Sequence, residues 1–104
     1  MYKFSTIGMR LKKARLLKGL TQGKLGSEAG SDPIGASVKI SRYESGTHTP
    51  AFEMAQRLAA VLSVPVAYLY CDDDDLAELI HLYYQLKKAD QRKMLATIKK
   101  LGLK

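Results

Sequence analysis

Apolar positions recur along the chain every three to four residues, and glycine or proline separates one periodic stretch from the next. Ile7, Leu11 and Ala14 form the first stripe, which Ser5 or Thr6 can cap and Gly19 can end as a left-handed stop. Thr21 can cap a second helix, Gln22 to about Ala29, stopped by Gly30. Ser31-Asp32-Pro33-Ile34-Gly35 is punctuated like a loop. A third helix follows from roughly Ala36 to Ser45 and stops at Gly46. Pro50 precedes a fourth, about Ala51 to Leu62, with Met54, Ala55, Leu58, Ala59 and Leu62 on its stripe. Pro65 suits the first turn of a short fifth helix ending near Tyr70. A sixth runs from about Asp74 to Lys87, and Asp90 can cap a seventh, about Gln91 to Leu101, striped by Met94, Leu95, Ile98 and Leu101. No Asn-Gly or Asp-Gly turn joins alternating runs, so the predicted class is all-α.

The third helix is unusual. Wound at 3.6 residues per turn, it turns Ala36, Ile40, Tyr43 and Glu44 to one side and Ser37, Val38, Ser41, Arg42 and Ser45 to the other. A merely solvated face would favour long Glu, Lys and Gln. Small hydroxyls, one valine and one arginine instead allow close approach to a partner. In a DNA major groove, arginine can grip guanine bidentately, serine can donate or accept, and a valine methyl can meet a thymine methyl. Glu44 on the inner side needs a counter-charge to offset its desolvation. Arg15 continues the stripe of the first helix, which predicts an Arg15–Glu44 ion pair; the alternative is that both reach solvent separately.

Charge strengthens the nucleic-acid reading. Of 104 residues, 17 are Lys or Arg and 10 are Asp or Glu, a formal +7. Residues 1–70 carry a net +6, residues 71–86 a net −5, and residues 87–104 again +6. Basic zones attract phosphates through counterion release, although a solvated basic surface has the same composition. The longest nearly apolar run, Leu58 to Cys71, is too short for the roughly 20 residues of a membrane span. The first residues lack the basic-then-apolar order of a signal peptide, and a lone Cys71 suits a reducing cytoplasm. The chain is small for an active-site pocket beside a core, so no enzyme is expected.

The run Ile7-Gly8-x-Arg10-Leu11-Lys12-x-Ala14-Arg15, Gly19-Leu20-Thr21-Gln22-x-x-Leu25, Ala29-Gly30, Ile40-Ser41-Arg42-Tyr43-Glu44-x-Gly46, Pro50, Leu58-Ala59-x-x-Leu62-x-Val64 resembles the lambda-repressor-like (Cro/cI, Xre-type) helix-turn-helix family. The resemblance covers about residues 5–70. It implies a five-helix DNA-binding domain over residues 1–70, usually a dimeric bacterial or phage transcription regulator, often a repressor, acting on an inverted repeat. It further implies base reading by Ser37, Val38, Ser41 and Arg42, and phosphate contacts by Thr21, Gln22, Lys39, Tyr43, Gly46, Thr47 and His48. The Arg15–Glu44 pair has a counterpart there. Gln22 also reads as an idle first-turn residue, and His48 as an exposed turn residue. Nine residues, Ser31 to Lys39, separate the Ala-Gly stop from Ile40, where the family usually has about five. Either the loop bulges outward or the recognition helix starts near Ile34; Asp32, repelled by phosphate, is expected to point aside.

Other chemistry is sparse. His48, His81 and Cys71 lack zinc-site spacing, and Asp72–Asp75 lacks the alternation and glycine of a calcium loop, so no metal or cofactor is expected. Those acids suit the start of the sixth helix. Residues 71–104 form a helical extension in which Leu76, Leu79, Ile80, Tyr83, Tyr84 and Leu86 exceed one core-facing stripe. They predict a homodimer interface; docking back onto the fourth and fifth helices is the alternative, and the two can coexist. The lysines and arginine of the seventh helix read as solvated. The expected function is a sequence-specific double-stranded DNA-binding repressor in a bacterial cytoplasm, associated with the nucleoid. An antitoxin-like or adaptor protein whose tail binds a different protein is the rival.

Overall fold

The computed structural model describes residues 5–102, in which all regular structure is helical: α1 (Thr6–Lys18), α2 (Gln22–Glu28), α3 (Ala36–Ser45), α4 (Phe52–Leu62), α5 (Val66–Tyr70), α6 (Asp74–Gln85) and α7 (Lys88–Gly102). Local chemistry sets most of the boundaries. The Ser5 hydroxyl accepts from Gly8 N, Thr21 accepts from Lys24 N, and Asp73 accepts from Leu76 N, each satisfying an otherwise orphaned helix donor. Gly19 closes α1 and Gly46 closes α3, both in the left-handed region.

Three boundaries differ from expectation. Pro65 is the residue before α5, in extended backbone, not part of its first turn. The sixth helix stops at Gln85, and the seventh begins at Lys88, so Asp90 lies within the first turn of α7 and does not cap it. Tertiary contact explains the early start. Gln91 N donates to Lys87 O at 2.9 Å, and Gln91 Nε2 reaches back to Tyr83 O at 3.0 Å.

Helices α1 to α5 enclose one core, centred on Leu11, Leu25, Ile40, Leu58, Leu62 and Leu69. Two close approaches depend on glycine. A Cβ at Gly8 would press on the backbone carbonyls of Tyr43 and Glu44, the former at 2.8 Å. A Cβ at Gly26 would lie 3.0 Å from both Cβ and O of Ala36. These gaps let α1 and α2 lie directly against α3.

The extension docks by one face only. Ala77 is buried, and Ile80 packs against the core. Gln85 Nε2 donates to Ser63 O at 3.0 Å, tying α6 to the end of α4. Arg10, buried at 4% exposure, donates from Nε to Cys71 O at 2.8 Å. Its NH2 makes an ionic contact with Asp74 Oδ1 at 3.0 Å that lacks hydrogen-bond alignment. The guanidinium also lies 5.9 Å from the Tyr68 ring centroid. Burial pushes the Tyr68 pKa above its ordinary value; the Arg10 charge pulls it down, and Asp74 pushes it up.

Beyond this clasp, no residue of α7 is buried. The Cα radius of gyration of 15.4 Å exceeds the roughly 13 Å of a compact chain of this length, as a projecting α6–α7 hairpin requires.

Gly8→Ala should destabilise the fold by about 1–3 kcal/mol, because backbone carbonyls cannot yield to the added methyl. Gly23→Ala, whose Cβ would meet only Ser37 Cβ at 3.8 Å, should not lower the melting temperature. Thermal unfolding followed by circular dichroism checks both.

Candidate nucleic-acid interface

The inner side of α3 holds Ala36, Ile40 and Tyr43, all buried. Its opposite side leaves Ser37, Val38, Lys39, Ser41 and Arg42 exposed. Tyr43, which the family resemblance places beside a phosphate backbone, is instead packed in the core cluster. An aromatic ring one position from Arg42 completes the inward stripe, and apolar burial favours it there.

Glu44 meets Arg15 in a two-point contact: Nε to Oε2 at 2.7 Å and NH2 to Oε1 at 3.1 Å. The two side chains are only 11% and 5% exposed. Arg15 NH1 also donates to Leu20 O at 3.0 Å. Gln22 Nε2 donates to Glu44 Oε1 at 3.1 Å. The two buried charges thus take part in four hydrogen bonds, the condition under which a desolvated pair is tolerated. The network joins the end of α1, the first residue of α2 and the last turn of α3. Neither Arg15 nor Glu44 stands alone in solvent.

Gln22 is therefore not idle. Its amide nitrogen is committed to Glu44. Thr21 is exposed, its hydroxyl engaged with Lys24 N at 3.0 Å.

The turn after α3 is shaped by its own polar groups. His48 N donates to Arg42 O at 3.1 Å, and the hydroxyls of Ser45 and Thr47 are 2.8 Å apart. Gly46, Thr47 and His48 are all exposed.

Before α3 the loop bulges, and the helix does not extend to Ile34. Gly35 at φ 91° interrupts the helical path, and α3 starts at Ala36. Asp32 does not point aside. Its Oδ1 accepts from Ile34 N at 3.0 Å, and it lines one open cleft together with Ile34, Val38, Lys39, Arg42 and His48. The sequence does not reveal this proximity, since Asp-Pro and Gly signal a turn without fixing its direction.

In the extension, Leu76, Leu79 and Tyr84 are exposed, whereas Ile80, Tyr83 and Leu86 are half-buried. Leu79, Ile80, Tyr83 and Tyr84 line an apolar groove with Met94 and Ile98 of α7. The α7 stripe is visible in the sequence, but only the fold shows that it shares this surface with α6. Among the described residues, no three His, Cys, Asp or Glu side chains converge as metal ligands. No helix among them is long and apolar enough to cross a membrane.

Comparison with known proteins gives matches of one kind. A sequence model of the helix-turn-helix family matches residues 11–69. An uncharacterized HTH-type transcriptional regulator of Sinorhizobium medicae (strain WSM419) and one of Rhizobium meliloti (strain 1021) are each 30% identical over 66 residues, 64% of this chain. That alignment covers 45% of each relative, so the chain spans about half the length of the curated relatives it matches. The crystal structure of the transcriptional regulator BswR is similar with a TM-score of 0.85 and 40% identity, over 89% of this chain and 92% of that one.

Glu44→Ala should cost about 3 kcal/mol by stranding the Arg15 charge. The melting temperature should then fall by more than about 10 °C; a change within a degree would refute the energetic role of the pair.

Proposed function

Because the chain belongs to the lambda-repressor-like helix-turn-helix family of transcriptional regulators, we propose that it binds double-stranded DNA in a sequence-specific way as a homodimer on an inverted repeat, most simply as a repressor. The observation that carries this reading is the outward face of α3. Its inner side is fixed by Ile40 and Tyr43 while Ser37, Val38, Ser41 and Arg42 stay exposed. Arg42 would grip a guanine edge, the serines would donate or accept, and Val38 would meet a thymine methyl. Thr21, the free Gln22 N–H and the backbone amides opening α2 would hold a phosphate, with Lys39 and the Gly46–His48 turn on neighbouring ones. The protein would work in the bacterial cytoplasm, on nucleoid or phage DNA, with no cofactor and no catalytic step. Residues 1–70 would form the reading domain and residues 71–104 the dimer contact.

A second copy would cover the groove formed by Leu79, Tyr83, Tyr84, Met94 and Ile98. Exposed apolar side chains on both α6 and α7 support this, since neither helix buries them within the chain. The same surface supports the second reading, an antitoxin-like or adaptor protein whose tail holds a different protein.

Selection of bound duplexes from a random pool should return a palindrome with half-sites about 34 Å apart or a multiple of that. The chosen site should be preferred over random duplex at least about a thousandfold. Arg42→Ala should cost about 1–3 kcal/mol and relax preference at one base pair, whereas Gln22→Ala should weaken all sequences alike. Unchanged discrimination in Arg42→Ala would overturn the base-reading role.

In sedimentation, the unmodified chain should run as a dimer and Ile98→Asp as a folded monomer. A stable monomer in both cases would favour the second reading.

A further inference from the structure

Ile34 is the most exposed large apolar side chain on the reading side of the molecule, at 90%. It sits in the loop that is longer than the family pattern and lines the same cleft as Val38 and Arg42. Single exposed apolar residues are common and mean little alone. This one is held in place. Its N–H is fixed by Asp32 Oδ1, Ser31 N donates to Gly26 O at 2.9 Å, and Ala36 N donates to Pro33 O at 3.4 Å. Proline at 33 fixes the backbone just before it, and Gly35 makes the left-handed turn just after it. Ile34 thereby stands beside the α3 side chains Val38 and Arg42 in that shared cleft.

Resting on the DNA-binding reading above, we propose that Ile34 is a further specificity-determining residue that reads a thymine methyl one step beyond the base pairs met by α3. The N-terminal end of a recognition helix faces base edges, which places the preceding loop over the groove. Asp32 argues for the groove floor over the backbone. A carboxylate beside phosphates is repelled, whereas base edges offer donors such as the cytosine amine. The apolar side chain beside it has one matching group there, the C5 methyl of thymine. Burying that methyl against Ile34 supplies preference that α3 alone lacks.

The test uses the full chain and the duplex it selects, with each thymine replaced in turn by deoxyuridine, which lacks only the methyl. At one thymine per half-site, outside the pair read through Arg42, the unmodified protein should lose about fourfold in affinity. Ile34→Ala should bind the intact duplex at least about fourfold more weakly and be indifferent to that methyl, so that the two changes do not add. Val38→Ala should keep the response at that position. Ile34→Ala should melt like the unmodified chain, as its side chain touches little. If Ile34→Ala keeps every thymine response, or loses affinity equally on all sequences, the assignment is overturned while specific DNA binding stands. If the unmodified chain selects no duplex, both readings fall.

Discussion

One ion pair fixes what the molecule can present. Arg15 and Glu44 are removed from water, and each would be costly there alone. Together, with the Leu20 carbonyl and the Gln22 amide, they satisfy one another and close the seam between α1, α2 and α3. Apolar packing sets which side of α3 faces inward but is weakly directional about the helix axis. Directed hydrogen bonds at its last turn remove that freedom. The contact also requires α1 to come close, which only the missing side chain at Gly8 permits. Charge, backbone and small residue thus form one unit, and Arg42 is aimed outward by what happens two residues later at Glu44.

Much of this was legible in the sequence because it is local. Hydroxyl and carboxylate caps, glycine stops and the three-to-four-residue stripes are short-range signals, and all seven helices follow from them. The ion pair was legible for a related reason: an acid on an apolar side demands a partner, and Arg15 lay on the facing stripe. The direction of the loop before α3 was not. Pro33 suits a first helical turn as well as a loop, and only the left-handed Gly35 and the Asp32–Ile34 hydrogen bond decide the matter. The start of α7 was hidden similarly, since Gln91 is drawn back to Tyr83 by tertiary contact and Asp90 offered an equally good local cap. Tyr43 lies inward, as the chain's own periodicity places it.

Arg10 was the larger omission. In sequence it is one of several basic residues on α1, and nothing local separates it from Lys12 or Lys13. In the fold it is buried, takes the Cys71 carbonyl, meets Asp74 and lies over Tyr68. It thereby sets where the extension leaves the core, while the remaining apolar surface of α6 and α7 is left facing outward. A sequence with two basic zones and an acidic hinge reads differently once one of those acids is seen as the partner of a buried arginine.

Arg10 and Arg15 lie on the same thirteen-residue helix, α1, five positions apart. One fastens the extension and the other fastens the outward face of α3. The two ends of the molecule are therefore connected through a single helix. Two copies joined by their hairpins would hold their reading faces at a spacing set by the protein's own skeleton, as the jaws of a caliper are set by its bar.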